Sequence, residues 1–107
     1  FTRFLRAYIG GAYLALADEK RAKELIALQF RTNDPKVINA TYNDFKRLMP
    51  LDAEPSRAGA ENVIEQLQAI GISVGSKNME DHLDTSIIQT LKKEGFFSAL
   101  KRQYGLP

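Results

Sequence analysis

Residues 1–16 read FTRFLRAYIGGAYLAL, and we expect the rest of the chain to pack around this stretch. Apolar side chains recur there at the three- and four-residue spacing of a helix that buries a broad side. They are Leu5, Tyr8, Ile9, Ala12, Tyr13 and Leu16. The pair Gly10-Gly11 interrupts the pattern, although each glycine costs a helix about 0.5–1 kcal/mol relative to alanine. We therefore expect either a close approach of another backbone or a bend at this pair.

Two further helices are predicted from their start signals. Asp18 is a suitable N-cap for the second helix, in which Glu19 and Lys23 form a favourable pair four residues apart. Its apolar side holds Ala22, Leu25, Ile26 and Phe30. Asp34-Pro35 opens the third helix, since proline needs no hydrogen bond at the first helical position. This helix is predicted to run to about Met49, with Ile38, Thr41, Tyr42, Phe45, Leu48 and Met49 on its buried side.

The middle of the chain contains a linker and a fourth helix. The segment from Pro50 to Pro55 has a proline at each end, which favours an extended and stiff conformation. Ser56 is the predicted cap of the helix that follows, and Gly71 is a suitable residue just beyond its end. The apolar positions of this helix are Ala60, Val63, Ile64, Leu67 and Ile70.

The last part of the chain combines a long loop with further helices. Periodicity is lost from Ile72 to Thr85, and a loop of this length in a small domain normally packs against something. The final helical pattern begins at Asp84 or Ser86, and Ser86-x-x-Gln89 matches a capping box. A break is expected at Gly95, after which Phe96, Phe97, Leu100 and Tyr104 continue the pattern. No convincing strand is found, so we predict an all-α chain of about five to six helices.

Composition limits the function classes without choosing one. Residues 1–107 are the size of one domain, and the hydrophobic content of 44% argues against disorder. Acidic and basic residues nearly balance in both halves, so neither half has the charge that nucleic-acid binding requires. The absence of cysteine excludes disulfides and thiolate chemistry. No apolar run approaches the roughly 20 residues that span a bilayer.

No residue set predicts catalysis, a cofactor or a metal. His82 is the only histidine, and its neighbourhood matches no loop of known metal-ligand spacing. The simpler interpretation is a polar loop in which Asp84 caps the next helix. Gly10-Gly11 and the pair Gly71 and Gly75 lack the spacing and context of phosphate-binding loops. We therefore expect no enzyme activity from these residues, and the sequence assigns no ligand-binding residue.

Two small basic clusters stand close to aromatic residues near the C-terminus. They are Lys92-Lys93 and Lys101-Arg102, with Phe96, Phe97 and Tyr104 around them. Such a mixture can bind single-stranded nucleic acid by stacking. The aromatic residues keep helical spacing, however, and cations late in a helix favour its dipole. The core interpretation is therefore preferred, and no nucleic acid is expected as a partner.

Several short motifs, taken in order, resemble a known family. They are Arg3-Phe4-Leu5-Arg6-Ala7-Tyr8 with Gly11, Asp34-Pro35-x-Val37, Ala40-Thr41-Tyr42 and Leu48-x-Pro50. A helix like that of residues 59–70 and a start such as Asp84-Thr85-Ser86 complete the pattern. Together they resemble the C-terminal helical region of substrate-binding proteins of ABC importers of the nitrate, sulfonate and taurine type, a family that includes binders of thiamine precursors.

This resemblance implies a two-lobed α/β protein with the type II periplasmic-binding-protein fold, of which this chain is the C-terminal part. The ligand would lie between the lobes and be bound mainly by residues upstream of Phe1, and the closed form would deliver it to a membrane permease. The implied location is the bacterial periplasm or, membrane-anchored, the cell exterior. Because the chain opens at Phe1 inside a helical pattern, we expect it to be a piece of a longer protein; a domain that lacks only a few flanking residues is the alternative.

Two other interpretations stay open at this stage. An independent helical domain could bind a partner helix in an apolar groove. It predicts a compact monomer with an intact core, whereas the transporter interpretation predicts a large exposed apolar face or self-association that covers it. An enzymatic function stays possible only if the catalytic residues lie in a part of the protein upstream of Phe1.

Overall fold

Six α-helices and one 3₁₀ turn form the regular structure of the computed structural model, which describes all 107 residues. The helices are α1 (Thr2–Ala17), α2 (Glu19–Phe30), α3 (Pro35–Leu48), α4 (Arg57–Ala69), α5 (Ser86–Lys93) and α6 (Phe96–Tyr104), and the 3₁₀ turn is Met79–Asp81. The structure contains no strand, so the predicted all-α class with five to six helices is confirmed.

Three helices begin at the caps that the sequence predicts. The side chains of Asp18, Asp34 and Ser56 each accept a hydrogen bond from a backbone N–H in the following first turn, at 3.1, 2.9 and 3.0 Å. Pro35 occupies the start of α3, where its missing N–H carries no penalty. A cap of this kind contributes about 1 kcal/mol, which explains why these boundaries could be read from the sequence.

Gly71 ends α4 in the predicted way. Its φ of +82° is left-handed, a conformation that glycine adopts without a steric penalty. The N–H of Ile72 donates to the carbonyl of Leu67 at 2.9 Å, and the N–H of Gly71 donates to that of Gln68 at 3.0 Å. These two bonds define a Schellman motif, which satisfies carbonyl groups that the end of a helix leaves free.

The core lies where α1 meets α5 and α6. Ile9 and Tyr13 of α1 are almost completely buried there, as is Leu91 of α5. The remaining members of this cluster are Ile88, Phe97 and Leu100. On its other side α1 packs against α2, which in turn packs against α3. The hydroxyl of Tyr42 in α3 donates to the carbonyl of Ala15 at 2.9 Å, so α1 is also linked to α3.

Much of the predicted apolar surface is left uncovered. Only 10 of 107 residues are buried, because no helix packs closely against more than two others, and α3, α4 and α5 each have one main neighbour. The predicted buried faces were therefore wrong at Tyr8, Leu25, Phe30, Leu48, Val63 and Ile70, all of which are exposed. Helix α4 is the extreme case: it buries no residue, and its main neighbour is the 3₁₀ turn.

The glycine pair of α1 has neither a close neighbour nor an interruption. Helix α1 runs continuously through Gly10 and Gly11, and a Cβ added at either would meet nothing within 4 Å. The expected approach of another backbone is therefore absent from this chain. Space remains beside the pair for an atom of another molecule.

The linker between α3 and α4 is not extended, contrary to the prediction. It forms a turn in which the N–H of Ala53 donates to the carbonyl of Pro50 at 3.1 Å, and Ala53 has a φ of +53°. Each proline restricts its own φ and the residue before it, so Leu51, Asp52 and Ala53 were free to turn. The hydroxyl of Tyr13 then donates to the carbonyl of Leu51 at 3.1 Å and fixes the turn to the core.

The start of α5 also differs from one predicted alternative. Ser86 is the first helical residue and Thr85 the cap position, so Ser86 and Gln89 form no capping box. Asp84, one residue before the cap position, accepts from the N–H of Ser86 at 2.9 Å, so its carboxylate binds the first turn although the helix begins two residues later. The side chain of Gln89 is free to donate to Glu54 of the linker, at 3.0 Å.

Replacing Gly11 by alanine should stabilise the isolated chain. The added methyl group meets no atom within 4 Å, and alanine is favoured in a helix interior by about 0.5–1 kcal/mol. Urea unfolding followed by circular dichroism measures the change. The control is Gly71→Ala, which we expect to destabilise because its φ is positive. A loss of stability in Gly11→Ala would contradict this description of α1.

Candidate functional site

His82 lies in the loop after α4, and its side chain forms a hydrogen bond within that loop. Its Nε2 is 2.8 Å from the carbonyl oxygen of Ser76, and the Ser76 hydroxyl donates to the carboxylate of Asp81. Nearby, Asp84 accepts from Ser86, as the simpler interpretation of this segment predicted. No group of three His, Asp or Glu side chains in the structure is arranged to hold a metal ion.

The long loop between α4 and α5 packs against α4, in agreement with the expectation that such a loop packs against another part of the chain. Met79 is buried at this contact. The guanidinium of Arg57 at the start of α4 donates to Glu80 at 2.7 Å and to Glu61 at 3.4 Å. These hydrogen bonds raise the pKa of Arg57 further, so its charge is permanent. The loop and α4 thus form one small unit beside the main core.

The aromatic residues near the basic clusters belong to the core, as predicted. Phe97 is buried, and Phe96 and Tyr104 pack against the same cluster. The cations Lys92, Lys93, Lys101 and Arg102 fall in the last turns of α5 and α6, where the helix dipoles favour positive charge. Phe96 and Tyr104 are half-buried, and the guanidinium of Arg6 lies 5.2 Å from the centroid of the Phe96 ring.

A pocket of about 500 Å³ lies under the linker turn. Tyr13, Leu51 and Phe97 form its apolar part, and Asp52, Lys92 and Lys101 form its charged part. The ammonium group of Lys92 donates a hydrogen bond to the carboxylate of Glu54 and forms an ion pair with it. This hydrogen bond raises the pKa of Lys92. The carboxylate of Asp52 accepts a hydrogen bond from the backbone N–H of Glu54 at 3.1 Å. The charged lining of the pocket therefore helps to hold the linker turn in place.

The shifted pKa values all move away from neutrality. Burial raises the pKa of the Tyr13 and Tyr42 hydroxyls, which stay protonated donors. A hydrogen bond from Lys23 lowers the pKa of Glu19, and hydrogen bonds from Ser86 lower that of Asp84. A general acid or base works best when its pKa lies near the working pH. The environments of these groups fix their ordinary charge states and do not prepare them for proton transfer.

The first conspicuous surface is the aromatic face of α1, formed by Phe1, Phe4 and Tyr8. These side chains are 82%, 62% and 55% exposed. Neighbouring rings stack, with centroids 6.2 Å apart between Phe1 and Phe4 and 6.1 Å apart between Phe4 and Tyr8. Three stacked aromatic rings in water are costly unless another surface covers them, so this face is a candidate contact surface.

The second surface is the apolar ridge of α4, formed by Ala60, Val63, Leu67 and Ile70. Val63 is 54% exposed and Ile70 is 72% exposed. A groove of about 510 Å³ runs along one side of the ridge, where Ile64, Ile72 and Val74 form its wall. A second groove of about 420 Å³ lies on the other side, next to Gln66 and Ala69.

The size of the exposed surface shows how open the structure is. The chain has 7875 Å² of accessible surface, whereas a compact protein of 12.0 kDa has about 6,000 Å². Its radius of gyration is 17.2 Å, against about 13 Å for a compact domain of this length. The excess of about 1,900 Å² exceeds the roughly 800 Å² that each partner contributes to a typical protein interface.

Compared with known protein families, curated proteins and solved structures, the chain matches none. None of its helices combines the length and the apolar character needed to cross a lipid bilayer.

Asp84 gives the clearest pH dependence. Because its pKa is lower in the folded chain than in the unfolded chain, its contribution to stability is present above the ordinary pKa of 3.8 and is lost as the pH falls through the folded value. We expect Asp84→Asn to lower stability at pH 7 and to flatten the loss of stability in acid. Thermal unfolding between pH 7 and pH 2.5 measures both effects.

The matched control is Glu24→Gln, since Glu24 is exposed and takes part in none of the ion pairs. The control should leave the acid dependence of unfolding unchanged. An Asp84→Asn variant with the same profile as the unmodified chain would show that the contact with Ser86 has no thermodynamic effect.

Proposed function

We propose that this chain is the C-terminal helical segment of a solute-binding protein of an ABC importer. The importer class is that of nitrate, sulfonate and taurine uptake, with thiamine-precursor binders as relatives. In this proposal the chain supplies structural support and catalyses nothing. The ordered helix motifs from Arg3 to Ser86 motivate the assignment. The single structural observation that supports it most is the exposure of large apolar side chains, such as Phe1, Phe4 and Ile70.

The aromatic face of α1 is the part of that surface that best fits a missing lobe. Phe4 and Tyr8 are exposed beside the buried Ile9 and Tyr13 on α1, so the apolar face of α1 is broader than the part that the core covers. An apolar helix face is normally buried against another element. The space beside Gly11 would let a neighbouring element approach α1 closely. In the proposed protein, the remaining α/β body covers this face.

The rest of the proposal follows from the same family. A small anionic or nitrogen- or sulfur-containing ligand is bound mainly by residues outside this chain, and a permease in the membrane receives it. The protein acts in the bacterial periplasm or, membrane-anchored, on the cell exterior. The chain by itself binds little ligand, and it self-associates where its apolar surface is not covered.

The alternative, an independent helical domain that binds a partner helix, is less well supported. It predicted a compact monomer with an intact core, whereas the radius of gyration is 17.2 Å and α4 buries no residue. The grooves beside the ridge of α4 are the one feature that favours it. A size-exclusion volume typical of a compact 12.0 kDa monomer would support this alternative.

The proposed function is tested on the longer protein that carries this chain. We expect at least one of nitrate, taurine, alkylsulfonates and pyrimidine thiamine precursors to raise its melting temperature. A ligand present at 100 times its dissociation constant adds about 2.7 kcal/mol of stability, which a thermal shift detects. A melting temperature that no member of this panel raises would contradict the proposal.

The exposed aromatic face makes a separate prediction for the isolated chain. We expect the double variant Phe4→Glu/Tyr8→Glu to bind less of a fluorescent hydrophobic dye, because two of the three exposed rings are gone. The matched control is Thr2→Glu/Ala7→Glu, which places the same charges at exposed positions of α1 outside the face. Equal dye fluorescence in both variants would show that the face is not an open apolar surface.

A further inference from the structure

Residues 56–83 form a part of the chain that we call the arm. The arm contains α4, the long loop and the 3₁₀ turn. All of its hydrogen bonds and ion pairs join two residues of the arm. No apolar residue of the arm belongs to the main core cluster or packs against it. The arm is therefore joined to the rest of the chain mainly through its two ends.

The arm is held together by contacts of its own. Met79 is buried where the 3₁₀ turn packs against α4, and Arg57 at the start of α4 donates to Glu80 in the same turn. The ring of His82, near the end of the arm, is hydrogen-bonded to the carbonyl of Ser76 in the loop. Contacts of this kind connect the first turn of α4 with the last residues of the arm, so the arm can move without losing its shape.

Both ends of the arm are fixed to the same helix, α5. Glu54, two residues before the arm, accepts a hydrogen bond from Gln89 at 3.0 Å and forms an ion pair with Lys92. Asp84, directly after the arm, accepts from the N–H of Ser86 at 2.9 Å. Residues 55–56 and 83–85 belong to no helix. We propose that the arm swings as one body about these two short segments, while Glu54 and Asp84 hold the hinge on α5.

Little in the chain opposes such a movement. A swing of the arm breaks no hydrogen bond and uncovers no member of the main core, and hinges usually consist of a few residues outside helices and strands. The ridge of α4 and both of its grooves lie on the arm, whereas the aromatic face lies on α1. The swing therefore changes the distance between the two candidate contact surfaces. It depends on bonds within this chain and does not rest on the transporter assignment.

Distances between pairs of spin labels on the whole 107-residue chain test the swing, because the chain has no cysteine of its own. The first pair is Gln68→Cys on the arm with Ser98→Cys on α6, and the control pair is Glu24→Cys on α2 with Ser98→Cys. All three positions are exposed, and α2 and α6 are joined through α1. We expect the distance distribution of the arm pair to be about twice as wide as that of the control pair, or wider.

A third pair tests whether the arm moves as one body. Gln68 and Lys77 line the same cavity of about 340 Å³ within the arm. We therefore expect labels at Gln68→Cys and Lys77→Cys to give one short, narrowly distributed distance. A spread as wide as that of the first pair would show an arm that unfolds, which would overturn the proposal.

Variants at the hinge test the role of Glu54. Glu54→Ala removes both bonds to α5, so it should widen the distribution of the arm pair further and leave that of the control pair unchanged. Pro55→Gly keeps these bonds but frees the backbone at the hinge, so it should widen the same distribution. The matched control is Asp44→Ala, which removes an ion pair with Arg47 inside α3 and should change neither distribution.

Two further results would overturn the proposal. An arm pair with a distribution as narrow as that of the control pair would show that the arm is fixed to the core. An arm pair whose distribution neither Glu54→Ala nor Pro55→Gly widens, or which Asp44→Ala widens equally, would show that the hinge is not where we place it. Circular dichroism of each variant checks that the helices are intact. Failure of the ligand panel on the longer protein would leave these distances unaffected, so the two proposals fail separately.

Discussion

The burial of Ile9 and Tyr13 of α1 against α5 and α6 is the contact on which the rest of the structure depends. These two side chains come from the first helix, and they meet Leu91 and Phe97 from the other end of the chain. The Tyr13 hydroxyl also holds the linker turn, and α2 packs on the other side of α1. Without this contact, the two ends of the chain would share no apolar core.

One helix at the centre explains why the structure is open. Helix α1 has a limited circumference, and α2 and α6 cover only part of it, so its aromatic face remains in water. Helices α3 and α4 reach the core only through neighbours or through the linker. The result is a small core with several exposed apolar surfaces around it, and exposed apolar surfaces of this kind are candidate contact surfaces.

The sequence predicted those features that depend on local chemistry. Asp18, Asp34 and Ser56 cap the first turns of their own helices, and Gly71 and Gly95 adopt the backbone conformation that ends or separates helices. Apolar periodicity located the helices but did not decide which faces are covered, because coverage depends on partners elsewhere. Tyr8 and Ile70 were therefore predicted inside and lie outside. Arg31, which ends α2 with a φ of +52°, gave no signal because such positions usually hold glycine.

The candidate surfaces were predictable only in outline. An exposed apolar face was expected, but its location at Phe1, Phe4 and Tyr8 depends on which sides of α1 are covered by α2 and α6. The most direct test is radical footprinting of Phe4 and Tyr8 in the 107-residue chain and in the longer substrate-binding protein to which we propose that it belongs. Our account predicts strong oxidation of both rings in the isolated chain and protection in the longer protein. Equal oxidation in the two would contradict the claim that this face was shaped to be covered.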